Sequence, residues 1–129
     1  MKILIIDDDE QVRRTLSRIL RLGGYETLTA ADGSSGMALF LSERPEIVIT
    51  DIFMPEQEGI ETILKMRRNP RVKIIAISGG GQIGGVDVLQ IARSLHADEV
   101  ILKPFRAHEL LGLIGELKPT SEIEDSVVQ

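Results

Sequence analysis

Four apolar runs long enough to form buried strands end directly in a charged or hydroxyl side chain. Ile3-Leu4-Ile5-Ile6 runs into Asp7-Asp8-Asp9, and Ile47-Val48-Ile49-Thr50 runs into Asp51. Ile74-Ile75-Ala76-Ile77 runs into Ser78, and Val100-Ile101-Leu102 runs into Lys103-Pro104. Uninterrupted apolar runs of this length are the pattern of strands buried on both faces of a parallel sheet. A fifth strand, Tyr25 to Ala30, leads to no such residue. Between the strands the period changes from two to 3.6. Val12, Leu16, Ile19 and Leu20 form a helical stripe closed by Gly23-Gly24, and a second helix through Met37 to Leu41 stops near Pro45. Ile60, Ile63 and Leu64 mark a third helix ending before Pro70. Val88, Ile91, Ala92 and Leu95 mark a fourth, and Leu110, Leu113, Ile114 and Leu117 a fifth.

Strand and helix thus alternate five times across short connections. This predicts an α/β fold, a three-layer, doubly wound sheet of five parallel strands with five helices. All strand carboxyl ends of such a sheet lie along one edge, where ligands bind. Residues scattered from 7 to 103 are therefore expected to converge there.

Composition narrows the reading. The chain has 129 residues, enough for one domain with its own core. The fold is expected over 1–118, followed by a flexible acidic tail over 119–129. A net charge of −5 and only four aromatic residues (three Phe, one Tyr) argue against a nucleic-acid binder. No apolar stretch is long enough to span a bilayer, and the N-terminus lacks a signal-peptide pattern. With no cysteine, a reducing cytoplasm is the simplest location.

The converging chemistry suits a divalent cation and a phosphoryl group. Adjacent acids at Asp7 and Asp8 repel unless something cationic neutralises them, and Mg²⁺ (with Mn²⁺ as the alternative) binds carboxylates and phosphate oxygens in one shell. Asp51 can be a further ligand or a nucleophile. Lys103 would offset negative charge and contact a phosphoryl oxygen, and an Xaa-Pro bond before Pro104 can be cis. Ser78 offers a hydroxyl beside Gly79-Gly80-Gly81. Asp9 reads as the N-cap of the first helix. His96 and His108 stand alone and read as surface residues. Leu89 and Leu111 sit off their core stripes, either as ordinary exposed leucines or as part of a partner surface.

The segments ILIIDDDE, IVITDIFMPEQEG, IIAISGG and VILKPF together resemble the response-regulator receiver domain, the CheY-like fold, over residues 1 to about 118. The resemblance implies the flavodoxin-like strand order 2-1-3-4-5. It implies that Asp51 is the phosphoacceptor, served by a sensor histidine kinase or histidine phosphotransfer protein. It casts Asp8, Asp7, Asp51 and the backbone carbonyl of Phe53 as the Mg²⁺ ligands. It likewise implies that Ser78 is the moving hydroxyl, Lys103 the site lysine, and Met54-Pro55 and Gly59 the following loop. The implied function is that of a stand-alone response regulator in two-component (phosphorelay) signal transduction. It would assist its own phosphorylation and dephosphorylation without being an enzyme. It would switch a surface of helix 4, strand 5 and helix 5 for a downstream protein or for a homodimer. A phosphate sink or relay intermediate is the alternative, and a Mg-dependent phosphohydrolase a weaker one, because Phe53 stands where such enzymes need an acid. Val100 occupies the position at which the family usually has a swinging aromatic ring. The segment from Gly79 to Gly85 holds five of the chain's 12 glycines, and Arg106 stands where an acidic or small N-cap is common.

Overall fold

The computed structural model describes residues 1–52, 58–78, 82–83 and 86–117. In chain order these form β1 (Lys2–Ile6), α1 (Glu10–Leu22), β2 (Glu26–Ala30), α2 (Gly33–Glu43) and β3 (Ile47–Asp51). There follow α3 (Glu58–Met66), β4 (Lys73–Ser78), α4 (Val88–Ser94), β5 (Glu99–Leu102) and α5 (Ala107–Leu117). A small antiparallel ribbon, Gln82–Ile83 against Val86–Asp87, precedes α4.

The five long strands form one parallel sheet ordered β2-β1-β3-β4-β5. The predicted architecture and strand order both hold.

Side chains alternate across the pleat, and so each apolar run feeds two cores. Leu4, Ile6, Val48, Ile74 and Ala76 face one layer with Phe40 of α2, Ile63 and Met66 of α3, and Leu95 just past α4. Ile3, Ile5, Ile47, Ile49, Ile75 and Ile77 face the other with Leu16 and Leu20 of α1 and Leu110 and Ile114 of α5. Burial on both faces is what makes the runs of β1, β3 and β4 continuous, whereas β5, an edge strand, keeps its apolar run with Leu102 exposed. β2 lies at an edge and is half-exposed, which explains its mixed sequence.

α1 begins at Asp9, whose carboxylate accepts from the N–H of Gln11 at 2.9 Å and of Val12 at 3.5 Å. It ends at Gly23, and Gly24 turns the chain with φ of 92°, a conformation natural to glycine alone.

Two core assignments differ from expectation. Leu64 is 50% exposed, and Met66 takes the buried position on α3. Leu111, expected off the core stripe, is half-buried and packs on the α1/α5 core. Gly23 is the cause: a β-carbon there would come within 2.7 Å of the Leu111 Cδ2, so the missing side chain makes room for this leucine.

His96 and His108 are exposed as expected. At the opposite end of the sheet from the acidic run, Arg67 ties α3 to the approach of β5. Its guanidinium donates to Asp98 Oδ2 at 2.9 Å and to the Val72 carbonyl at 2.6 Å. Among the described residues no helix is long and apolar enough to cross a membrane.

Candidate functional site: an acidic cluster at the sheet edge

Parallel register brings the strand ends together. β1 pairs with β3 up to Ile6 opposite Thr50, and one further residue places Asp7 beside Asp51. β3 pairs with β4 so that Asp51 lies opposite Ile77, one residue short of Ser78. β4 pairs with β5 to Ser78 opposite Leu102, and the ladder continues with the Lys103 N–H donating to the Ser78 carbonyl at 2.7 Å. The Lys103–Pro104 peptide is cis.

Asp7, Asp8 and Asp51 offer carboxylate oxygens that all lie within 4.8 Å of one another. Their exposures differ. Asp7 is buried, Asp51 half-buried and Asp8 open to solvent. The Lys103 ammonium stands 3.6 Å from Asp7 Oδ2 and 3.6 Å from Asp51 Oδ2. At an effective dielectric near 20 each such attraction is on the order of 4 kcal/mol before desolvation. The three acids repel one another on the same scale. One ammonium against three carboxylates leaves two negative charges in the cluster.

The Asp7 side chain is buried and only partly satisfied. Its Oδ1 accepts from the Asp9 N–H at 2.9 Å, but its Oδ2 is buried with no hydrogen-bond partner. Burial raises its carboxyl above the ordinary 3.8, while the Asp9 N–H and Lys103 oppose the rise and Asp51 and Asp8 reinforce it. A buried carboxylate oxygen with a free lone pair, in a cluster two charges short of neutrality, fits a hard divalent cation. The residues present therefore suit Mg²⁺.

Two neighbours, Arg13 and Thr50, gave no functional signal in the sequence, and a third, Gly59, entered only through the family resemblance. Arg13 Nη1 donates to the Asp7 carbonyl at 2.7 Å, fixing the end of β1 from the first turns of α1. Thr50 is fully buried and its hydroxyl donates to the Asp51 carbonyl at 3.1 Å. At Gly59 a β-carbon would collide with the backbone carbonyls of Asp51 and Ile52, so only glycine lets the start of α3 approach the acidic strand end.

Of the remaining expected site residues, Ser78 is buried at the end of β4 and Val100 is half-buried against the core. Phe53, Met54 and Pro55 lie outside the described residues, as do Gly79-Gly80-Gly81 and the side chain of Leu89.

Comparison with known proteins places this geometry in a family. A sequence model of the response regulator receiver domain matches residues 3–115. Protein PilG of Pseudomonas aeruginosa is 30% identical over 127 residues, covering 98% of this chain and 94% of that protein. A probable transcriptional regulator, ycf27 of Cyanophora paradoxa, is 34% identical over 121 residues, 94% of this chain but 49% of that protein. The chain thus spans about half the length of that relative. The crystal structure of the chemotaxis protein CheY4 of Vibrio cholerae matches with a TM-score of 0.79 at 27% identity, covering 90% of this chain and 97% of that one. With the strand order, the acidic cluster and the lysine in place, the chain belongs to the response regulator receiver domain family.

Proposed function

We propose that this chain accepts a phosphoryl group on Asp51 from a histidine kinase or histidine phosphotransfer protein, with Mg²⁺ or Mn²⁺ bound by Asp7, Asp8 and Asp51. The observation that carries this reading is the Lys103 ammonium, 3.6 Å from both Asp7 and Asp51 at the edge of the three-carboxylate cluster. Asp51 is the suited nucleophile, because it is the half-buried acid that the ammonium contacts on the open side of the strand ends. An Asp51 oxygen forms the new bond to phosphorus as the bond from phosphorus to the donor's nitrogen breaks. Lys103 stabilises the charge on the transferring group, and Ser78 supplies a hydroxyl from the adjoining strand. A bound divalent cation would supply charge neutralisation for the phosphoryl oxygens.

Output is expected through the surface formed by α4, β5 and α5. Val100, Leu102, Gly112 and Leu113 line a groove between the β5 edge and α5, and Leu102 is 40% exposed. That groove supports a downstream protein or a second copy of the chain as reader. Leu111 is not part of it, because it packs inward against Gly23. A cytoplasmic signalling protein acting through binding, with no turnover of substrate, is the functional class proposed. The test is phosphoryl labelling of Asp51 with and without divalent metal.

A further inference from the structure

We propose that the outer face of α1 is a docking groove for an acidic peptide, and that its occupant is this chain's own segment 120–126. The proposal is independent of phosphorylation at Asp51.

Four of the ten arginines, Arg13, Arg14, Arg18 and Arg21, lie on α1, and all four line one groove between that helix and the edge strand β2. Ser17, Thr29 and Leu22 complete its lining. The local acid available to them is Glu10, which pairs with Arg14 at 3.0 Å. Arg13 reaches inward to the Asp7 carbonyl, and Arg21 Nε donates to Thr27 Oγ1 at 3.1 Å. Those two bonds hold guanidinium groups in place while leaving their other N–H donors available. In a protein of net charge −5, this is a concentrated positive stripe. Leu22 at its end is 83% exposed, the most exposed large apolar side chain among the described residues.

The sequence holds a segment that complements both features. Residues 120–126 read Thr-Ser-Glu-Ile-Glu-Asp-Ser, with three acids in four positions and an apolar Ile123 among them. Connectivity puts it in reach. The Leu111 side chain fills the space beside Gly23 at the end of α1, and Leu117 ends α5 six residues, about 9 Å of helix, later. From Lys118 to Asp125 an extended chain covers up to about 28 Å, whereas Arg14 and Arg21 are separated by only about 10 Å of helix. Tethering at this distance gives an effective concentration in the millimolar range, enough to fill a site too weak to hold the same peptide when free. Glu122, Glu124 and Asp125 would pair with Arg14, Arg18 and Arg21, and Ile123 would cover Leu22. Any acidic partner approaching α1 would then have to displace the segment.

The chain has no cysteine, so Ser126→Cys in the full chain carries a single spin label. The measurement is paramagnetic broadening of amide signals, at low and at high salt. The expected result is broadening strongest along the groove from Arg14 to Leu22, falling to the level that the tether alone gives in high salt and in the Glu122→Lys/Glu124→Lys/Asp125→Lys background. Reversing the groove as well (Arg18→Glu/Arg21→Glu) should restore it. No broadening of α1, or broadening that salt and charge reversal leave unchanged, would overturn the proposal. Broadening that appears only between labelled and unlabelled chains would assign the groove to a second copy and overturn the intramolecular contact.

Discussion

Lys103 Nζ sits 3.6 Å from Asp51 Oδ2, a contact made between the ends of two strands that are not neighbours, with β4 between them. The long side chain spans that gap along the sheet edge, where no backbone hydrogen bond joins β3 to β5. Coupling between these residues is therefore a property of the site and independent of the sheet ladder. Lys103→Ala should slow phosphoryl labelling of Asp51 by about 100-fold, the usual cost of losing one charge-stabilising donor. Combining it with Asp51→Asn should give a non-additive stability change of about 1 kcal/mol in a double-mutant cycle. Additive melting shifts in the cycle would mean that the two groups do not interact.

Asp7→Asn should stabilise the metal-free fold at neutral pH while abolishing metal binding. Burial raises the Asp7 carboxyl above 3.8, so the folded chain holds that proton more readily than the unfolded chain. Stability from this group is present at low pH and is lost as pH rises from about 3.8 through the raised value. The advantage of the Asn variant in thermal melting should accordingly be absent near pH 4, grow across that window and level off above it. An advantage that stays constant with pH would point to a cause other than the buried charge.

Gly59→Ala should cost about 1–3 kcal/mol, because the added methyl meets backbone carbonyls of Asp51 and Ile52 that cannot move aside as a side chain could. The same variant should reduce labelling at Asp51, since relief of the clash displaces the strand end that carries the nucleophile. Denaturant unfolding and labelling rate together check this.

Asp9→Ala should cost about 1 kcal/mol through loss of the α1 cap, with Mg²⁺ affinity changed little, because its carboxylate is committed to Gln11 and Val12. Isothermal titration alongside chemical unfolding separates the two effects. A large loss of metal affinity would instead place Asp9 among the ligands.

Much of the site was legible because a parallel sheet converts strand ends into neighbours. Asp7, Asp51, Ser78 and Lys103 each follow an apolar run, and register alone brings them to one edge. What escaped depends on packing between elements, which hydrophobic periodicity does not encode. Leu111 looks exposed by its position around α5, yet it is drawn inward by the space that Gly23 leaves on α1. Leu64, read as part of the core stripe of α3, turns outward while Met66 is buried, because the turn that contacts the sheet is set by how the helix docks. Nothing in the sequence marks Arg13, whose guanidinium donates to the Asp7 carbonyl in the fold.

The central claim is that Asp51 accepts a phosphoryl group in a metal-dependent reaction. The most direct measurement is intact-mass analysis, with site mapping, after incubation with a small phosphodonor, in Mg²⁺ and in excess chelator. The account predicts one phosphoryl group, on Asp51, in Mg²⁺ alone, and none in Asp51→Asn. Equal labelling of that variant, or labelling unaffected by the chelator, would contradict it.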